Sequence, residues 1–261
     1  MIFDTHAHYY DKAFDPDRDT LLPWLHEQCG VCVIVNAAEH LDAARNCLAL
    51  AERYDFCYAA AGVHPNCADS WRSGDEEVLR AMLAHPKAVA LGEIGLDYCR
   101  SKENKALQRE VFVTQMELAK QLRKPVIIHD REAHGDMYPL LRQYRPDGVL
   151  HCFSGGVELA REALDDGLYI GLGGSVTFRG AVKPVEVARY VPLDRLVLET
   201  DAPWMIPAPC RRKETGRERC DSSMIAAVAS FIASLRGMDT EELLTVTERN
   251  ARELYGIPAV E

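Results

Sequence analysis

The 261-residue sequence predicts a single (β/α)8 TIM barrel, and three observations carry that reading. Eight short runs of apolar and β-branched residues recur along the chain. Segments of helical character separate them, and the total length suits a barrel of this kind, about 250 residues. The runs are nearly all apolar rather than alternating, the pattern of a parallel sheet covered on its outer face.

The runs are Ile2 to Thr5, Val31 to Asn36, Phe56 to Val63, Ala88 to Glu93, Pro125 to His129, Gly148 to His151, Leu168 to Gly171 and Arg195 to Glu199. Between the fourth and fifth, Leu107, Val111, Leu118 and Leu122 fall at spacings of four and seven, one face of a helix. Strand and helix alternate throughout, and prolines and glycines sit at the loop ends. No repeat, linker or low-complexity tract divides residues 1–261, so one domain is expected. A doubly wound open sheet is the competing architecture. Its marker, a glycine fingerprint after the first strand, is absent: His6-Ala7-His8 stands there instead.

Composition narrows the function classes. With 48% hydrophobic residues the chain can bury a substantial core, which excludes disorder as a description of the whole. The apolar run Met224 to Leu235 is far short of the roughly 18 residues that span a bilayer, so no membrane protein is expected. The opening MIFDTHAHYYD lacks a basic segment and a long apolar stretch, so a signal peptide is not expected and cytoplasmic residence is. Nine cysteines, an odd number, then read as reduced thiols. A net charge of −10 argues against coating nucleic acid through the overall field, so a polyanionic ligand must be handled locally.

In a parallel barrel the catalytic residues come from the C-terminal strand ends and the loops that follow. Strand one ends in His6 and His8, strand four in Glu93, strand five in His129 and strand six in His151. His64 follows strand three, and Asp201 follows strand eight. A barrel brings these distant positions into one ring. Imidazole and carboxylate suit divalent zinc, manganese or magnesium, and residues two apart on a strand point to the same side, so His6 and His8 can chelate one ion. Glu93 could bridge two ions, His129 and His151 could hold the second, and Asp201 could complete the first while accepting a proton. Two divalent ions about 3.5 to 4 Å apart can activate a water and stabilise both the attacking and the leaving oxygen of a displacement. Glu93 and Asp201 are therefore the catalytic candidates. Taken singly, a histidine at a strand end is more often a hydrogen-bonded structural residue, and HxH is a weak signal. Their coincidence at one end of successive strands reverses that balance. His26, His40, His85 and His134 lack the alignment and read as surface or capping residues.

Two further residues read as substrate contacts. His64, in GVHP, is either a turn residue before Pro65 or a group that positions a phosphate beside the metals. Arg131, two residues past a ligand, can grip a phosphate in bidentate fashion or pair with Asp130 or Glu132.

These residues lie in segments that resemble the TatD-like deoxyribonuclease family of the metal-dependent amidohydrolase superfamily. The matching segments are FDTHAH at the start, GVHP at 62–65, LGEIGLDY at 91–98, PVIIHDREA at 125–133, HCFSG at 151–155, GLGGSVTF at 171–178, LVLETDAPW at 196–204 and NARELYG at 250–256. The resemblance implies a TIM barrel, a two-metal site and phosphodiester hydrolysis on DNA. It also implies His6, His8, Glu93, His129, His151 and Asp201 as the metal ligands. Two departures bear on substrate preference rather than on the metals. Asn66 stands where the family commonly has a second histidine, and the loop PAPCRRKETGRERC, with Cys210 in place of a histidine, replaces a shorter one.

That loop is the most basic part of the chain. Arg211, Arg212, Lys213, Arg217 and Arg219 against Glu214 and Glu218 give it a net charge of +3, and it follows strand eight. It reads either as a solvated charge run or as a contact to backbone phosphates of DNA, with Arg211, Arg212 and Lys213 as the contacting residues. Cys29 and Cys32 form a CxxC without a second one, at the N-terminal end of a strand, so a redox or zinc role is not expected. Cys210 and Cys220 flank the basic loop.

The expected activity is that of a divalent-metal-dependent phosphodiesterase hydrolysing DNA from an end or in single strands. A hydrolase of small amides, lactones or phosphoesters on the same scaffold is the alternative. Relatives of that second kind often bridge their metals with a modified lysine on strand four, where this chain has Glu93. A metal-holding binding protein is a third reading, disfavoured by the complete ligand set.

Overall fold

The computed structural model describes residues 1–100, 103–211 and 219–259. Eight strands form one parallel sheet in sequential order. They are β1 (Ile2–Ala7), β2 (Val31–Ala37), β3 (Cys57–Ala61), β4 (Ala88–Asp97), β5 (Val126–Arg131), β6 (Gly148–Leu150), β7 (Tyr169–Leu172) and β8 (Leu196–Leu198). The intervening helices are α1 (Arg18–Cys29), α2 (Leu41–Arg53), α3 (Asp75–Leu83), α4 (Lys105–Leu122), α5 (His134–Tyr144), α6 (Val157–Asp165) and α7 (Val182–Tyr190), with α8 (Ile225–Arg236) and α9 (Thr240–Tyr255) after the last strand. The architecture is the (β/α)8 barrel that the sequence predicts.

β1 and β8 close the ring through few backbone bonds, because β8 is only three residues long. Ala7 bridges to Ala202, Asp201 N donates to His6 O (2.9 Å), and His8 N donates to Ala202 O (2.8 Å). Side chains supply the rest of the seam. The buried Asp4 carboxylate accepts from Thr200 Oγ1 and Ser222 Oγ, each at 2.6 Å, and from Thr200 N at 3.0 Å. Burial pushes this carboxyl up to about 7, against those donors.

Strand alternation sorts the apolar side chains into two shells. Phe3, Val33, Ala60, Val89, Ile127, Val149, Tyr169 and Val197, drawn from all eight strands, pack with Leu254 and Tyr255 of α9 in one cluster. That cluster is the barrel interior, and α9 stoppers its N-terminal mouth; Tyr255 Oη donates to Thr5 O at 3.0 Å. The outward residues Ile34, Ile128, Leu150, Ile170 and Leu198 pack with Leu22, Phe112, Met116, Leu140 and Ile232 of the helices. At the C-terminal rim the strand ends also open on a cavity, lined by His129, His151 and Glu93. His129, His151 and Glu199 lie two residues beyond Ile127, Val149 and Val197, so parity alone turns them inward.

The sequence reading ends the fourth strand at Glu93, whereas β4 continues to Asp97. Its pairing with β5 shifts register between Leu91 and Ile94, an irregularity of the kind that re-aims a side chain, and Glu93 sits inside it. The flanking glycines permit this. A Cβ on Gly92 would stand 2.6 Å from Ile127 Cβ, and one on Gly95, whose φ is +151°, 1.9 Å from the His129 carbonyl oxygen. Among the described residues, no helix is long and apolar enough to cross a membrane.

Candidate metal centre

The barrel brings all six residues with predicted ligand roles together at the C-terminal rim, in two groups that share Glu93. In the first, His6 Nε2 and His8 Nε2 are 3.0 Å apart, and Asp201 Oδ1 lies 3.2 Å from His8 Nε2 and 3.6 Å from His6 Nε2. Glu93 Oε2 faces the same pair at 3.4 and 3.9 Å. In the second, Glu93 Oε1 is 2.8 Å from both His129 Nδ1 and His151 Nε2, which are 3.3 Å from each other. One carboxylate thus turns one oxygen to each group. His64 Nε2 also reaches Glu93 Oε1, at 3.4 Å, while its Nδ1 accepts from Asn66 N; the residue is buried with the cluster.

The donor set fits divalent cations. Imidazole nitrogens and carboxylate oxygens bound at about 2.1 Å stand about 3.0–3.5 Å from one another, close to the spacing within each group. Two imidazole nitrogens 3.0 Å apart, each with a carboxylate oxygen nearby, converge on a common point. His6/His8/Asp201, His6/Glu93/His151 and His64/Glu93/His129 each converge closely enough to hold an ion.

The electrostatics show how tightly the groups interact. Burial works to raise Glu93, but His151, His64 and His6 outweigh it and hold the carboxyl well below the usual range. Burial likewise opposes, and His8 and His6 overcome, in lowering Asp201. Burial acts to lower His8, His129 and His151, yet the neighbouring carboxylates raise all three; His6 is lowered by burial first, and then by His151 and His8 beside it. Buried charge of both signs is thus crowded into one small volume.

Two carboxylates that the sequence reading did not single out support the imidazoles from behind. Asp97 Oδ2 lies 3.3 Å from His129 Nε2, and Glu199 Oε1 lies 3.6 Å from His151 Nδ1. Asp97 is fixed in turn by the Cys99 and Arg100 backbone amides and by the Asn66 side-chain amide. Against burial, which would raise it, His129 and the two backbone amides hold Asp97 below the ordinary carboxylate range. A carboxylate behind a ligating histidine fixes the tautomer and raises ligand basicity. Asp97→Asn is therefore expected to weaken binding of one metal equivalent by about 10- to 100-fold, measured by titration calorimetry on metal-stripped protein; unchanged affinity would show that the carboxylate does not tune His129. Parity with Val197 was the signal for Glu199, whereas Asp97 depended on the extension of β4.

Outside the cluster, Arg131 is exposed on the rim and its guanidinium has no ion-pair partner among the described residues, because Asp130 is taken by His134 at 2.7 Å. Arg211 donates to Ile206 O at 2.9 Å, with its guanidinium 4.2 Å from the Phe178 ring centroid. Arg219 pairs with Asp17. Arg212 and Lys213, together with Arg217, lie outside the described residues. His40 caps α2, His26 contacts Val31 O and stacks on Phe56, and Cys32 Sγ contacts Ile2 O at the opposite end of the barrel from the cluster.

A (β/α)8 barrel with a shared carboxylate among histidines at its C-terminal rim defines a metal-dependent hydrolase. Residues 3–256 match the model of the TatD related DNase family, and the chain belongs to that family. It is 38% identical to the uncharacterised metal-dependent hydrolase YabD of Bacillus subtilis over 98% of this chain and 100% of that protein. It is 33% identical to the 3'-5' ssDNA/RNA exonuclease TatD of Citrobacter koseri, over 98% and 99% of the two chains. Among solved structures, the TatD homologue YjjV of Escherichia coli superposes with a TM-score of 0.91 at 32% identity, covering 98% of each chain.

Proposed function

We propose that the chain, acting as one hydrolase domain in the cytoplasm, is a two-metal phosphodiesterase that removes nucleotides from an end of DNA. The observation that carries this reading is Glu93, whose two oxygens face two separate groups of ligands. His6, His8 and Asp201 would hold one divalent cation and His129 and His151 the other. Bound there, the cations would supply a hydroxide-strength nucleophile at neutral pH and Lewis acidity toward a phosphoryl oxygen. The protein's own contribution is placement. Asp201, about one-fifth exposed while the other carboxylate is buried, is the group that accepts the proton of the attacking water. Arg131, exposed at the rim, and His64 orient the phosphate, and the basic loop with Arg211, Arg212 and Lys213 adds local attraction on an acidic chain. The exonuclease named among the relatives supports a nucleic-acid substrate cut from an end.

The test is direct. Chelator-stripped protein reloaded with magnesium, manganese or zinc is assayed on single-stranded DNA, duplex DNA, RNA, and small esters and amides. Metal-dependent release of nucleotides is expected; turnover of the small substrates alone would replace this reading with that of a small-molecule hydrolase.

A further inference from the structure

The cluster accounts for where a phosphate reacts, not for what the rest of the substrate touches. Above it lies a cavity of about 300 Å3, on the scale of one nucleotide, with two unlike walls. One wall is cationic. Arg100 and Arg131 line it, both are exposed, and neither guanidinium has an ion-pair or hydrogen-bond partner among the described residues. On a chain of net charge −10, two exposed guanidiniums at one cavity mouth mark a place for anionic groups.

The other wall is aromatic. Trp204 is 46% exposed, although most large apolar side chains here are buried. Its indole meets His8 edge-to-face, with ring centroids 5.1 Å apart at 62°, and its backbone N donates to Asp201 O at 2.9 Å. Trp204 is thus mounted on the turn that carries Asp201. An indole held beside the reacting centre, with much of its surface in water, offers a flat π face.

We propose that Trp204 is the stacking platform for the base of the nucleotide being released, with Arg100 and Arg131 holding its flanking phosphates. The proposal rests on the nucleic-acid reading above and narrows it. A base lying on the indole must be out of a duplex, so the substrate is an unpaired end. Every base has a π face, so little sequence preference follows.

The experiment compares kcat/KM for wild type, Trp204→Ala and Trp204→Phe on two single-stranded oligonucleotides. They differ only in whether the nucleotide to be released carries a base or is an abasic tetrahydrofuran residue. Wild type is expected to favour the base-bearing strand by about tenfold or more. In Trp204→Ala that ratio should collapse to near one, and Trp204→Phe should keep most of it. A merely structural role, through disturbance of His8, would slow both strands by the same factor and leave the ratio intact, which would overturn the platform. So would the absence of any preference in wild type. If wild type cleaves no oligonucleotide at all, the nucleic-acid reading fails and the platform fails with it; cleavage with an unaltered ratio in Trp204→Ala removes the platform alone.

Discussion

Glu93→Gln should reduce phosphodiester turnover by on the order of 10³-fold or more. The substitution keeps the shape of the side chain and removes the charge that both ligand groups share. An amide cannot offer two equivalent anionic oxygens, so one group would face a neutral oxygen and the other an N–H donor aimed at an imidazole nitrogen. His129 Nδ1 and His151 Nε2, each 2.8 Å from Glu93 Oε1, would lose their common partner. Metal content should fall together with rate, and elemental analysis of the purified variant beside steady-state assays measures both. Wild-type rates with a full metal complement would refute the bridging role. Because Glu93 is buried, a thermal melt of the metal-free variant separates this effect from unfolding.

Metal loading should raise the melting temperature by about 10 °C. A ligand at 1,000 times its dissociation constant stabilises the folded state by about 4 kcal/mol, and a chain of this size gains about 2–4 °C per kcal/mol. The increment should grow with pH. Against burial, which would lower them, the neighbouring carboxylates hold His8, His129 and His151 above the ordinary imidazole value of 6.5 in the metal-free protein. A raised imidazole contributes stability that is full below 6.5 and is lost as pH rises through its folded value. Glu93 and Asp201 are depressed, so their contribution is present above their ordinary values of 4.5 and 3.8 and is lost only in acid. The metal-free protein therefore weakens from about pH 6.5 upward. Over the same range the imidazoles lose the protons that compete with a cation. Melts of stripped and reloaded protein between pH 6 and 8 follow the difference; an increment independent of pH would show that these histidines are not the ligands.

The candidate site is legible in sequence wherever a local pattern marks it. Apolar β-branched runs announce strands, and a ligand-type residue at the end of each run announces the rim, so His129 and His151 were legible from their places after Ile127 and Val149. Asp97 was not. It lies four residues past Glu93, where the apolar run as read from sequence ends, and its approach to His129 exists only because β4 continues beside β5. Asp4 was equally silent, since an acid near the start of an apolar strand shows its purpose only when Thr200 and Ser222, some two hundred residues away, complete the seam. Arg131 presented the opposite case. Its neighbours Asp130 and Glu132 offered salt bridges in sequence, and the helix that follows took Asp130 for His134 instead.

The sequence by itself determined the eight strands and the residue types at their C-terminal ends, because side-chain periodicity and strand termination are local properties. The tertiary structure decided which atom of each ligand-type residue faces which, how the Glu93 carboxylate divides its oxygens, and that Trp204 lines the same cavity over the cluster as Arg100 and Arg131. Those relations join residues up to about two hundred positions apart, and they are fixed by strand register and barrel closure, which no local pattern encodes.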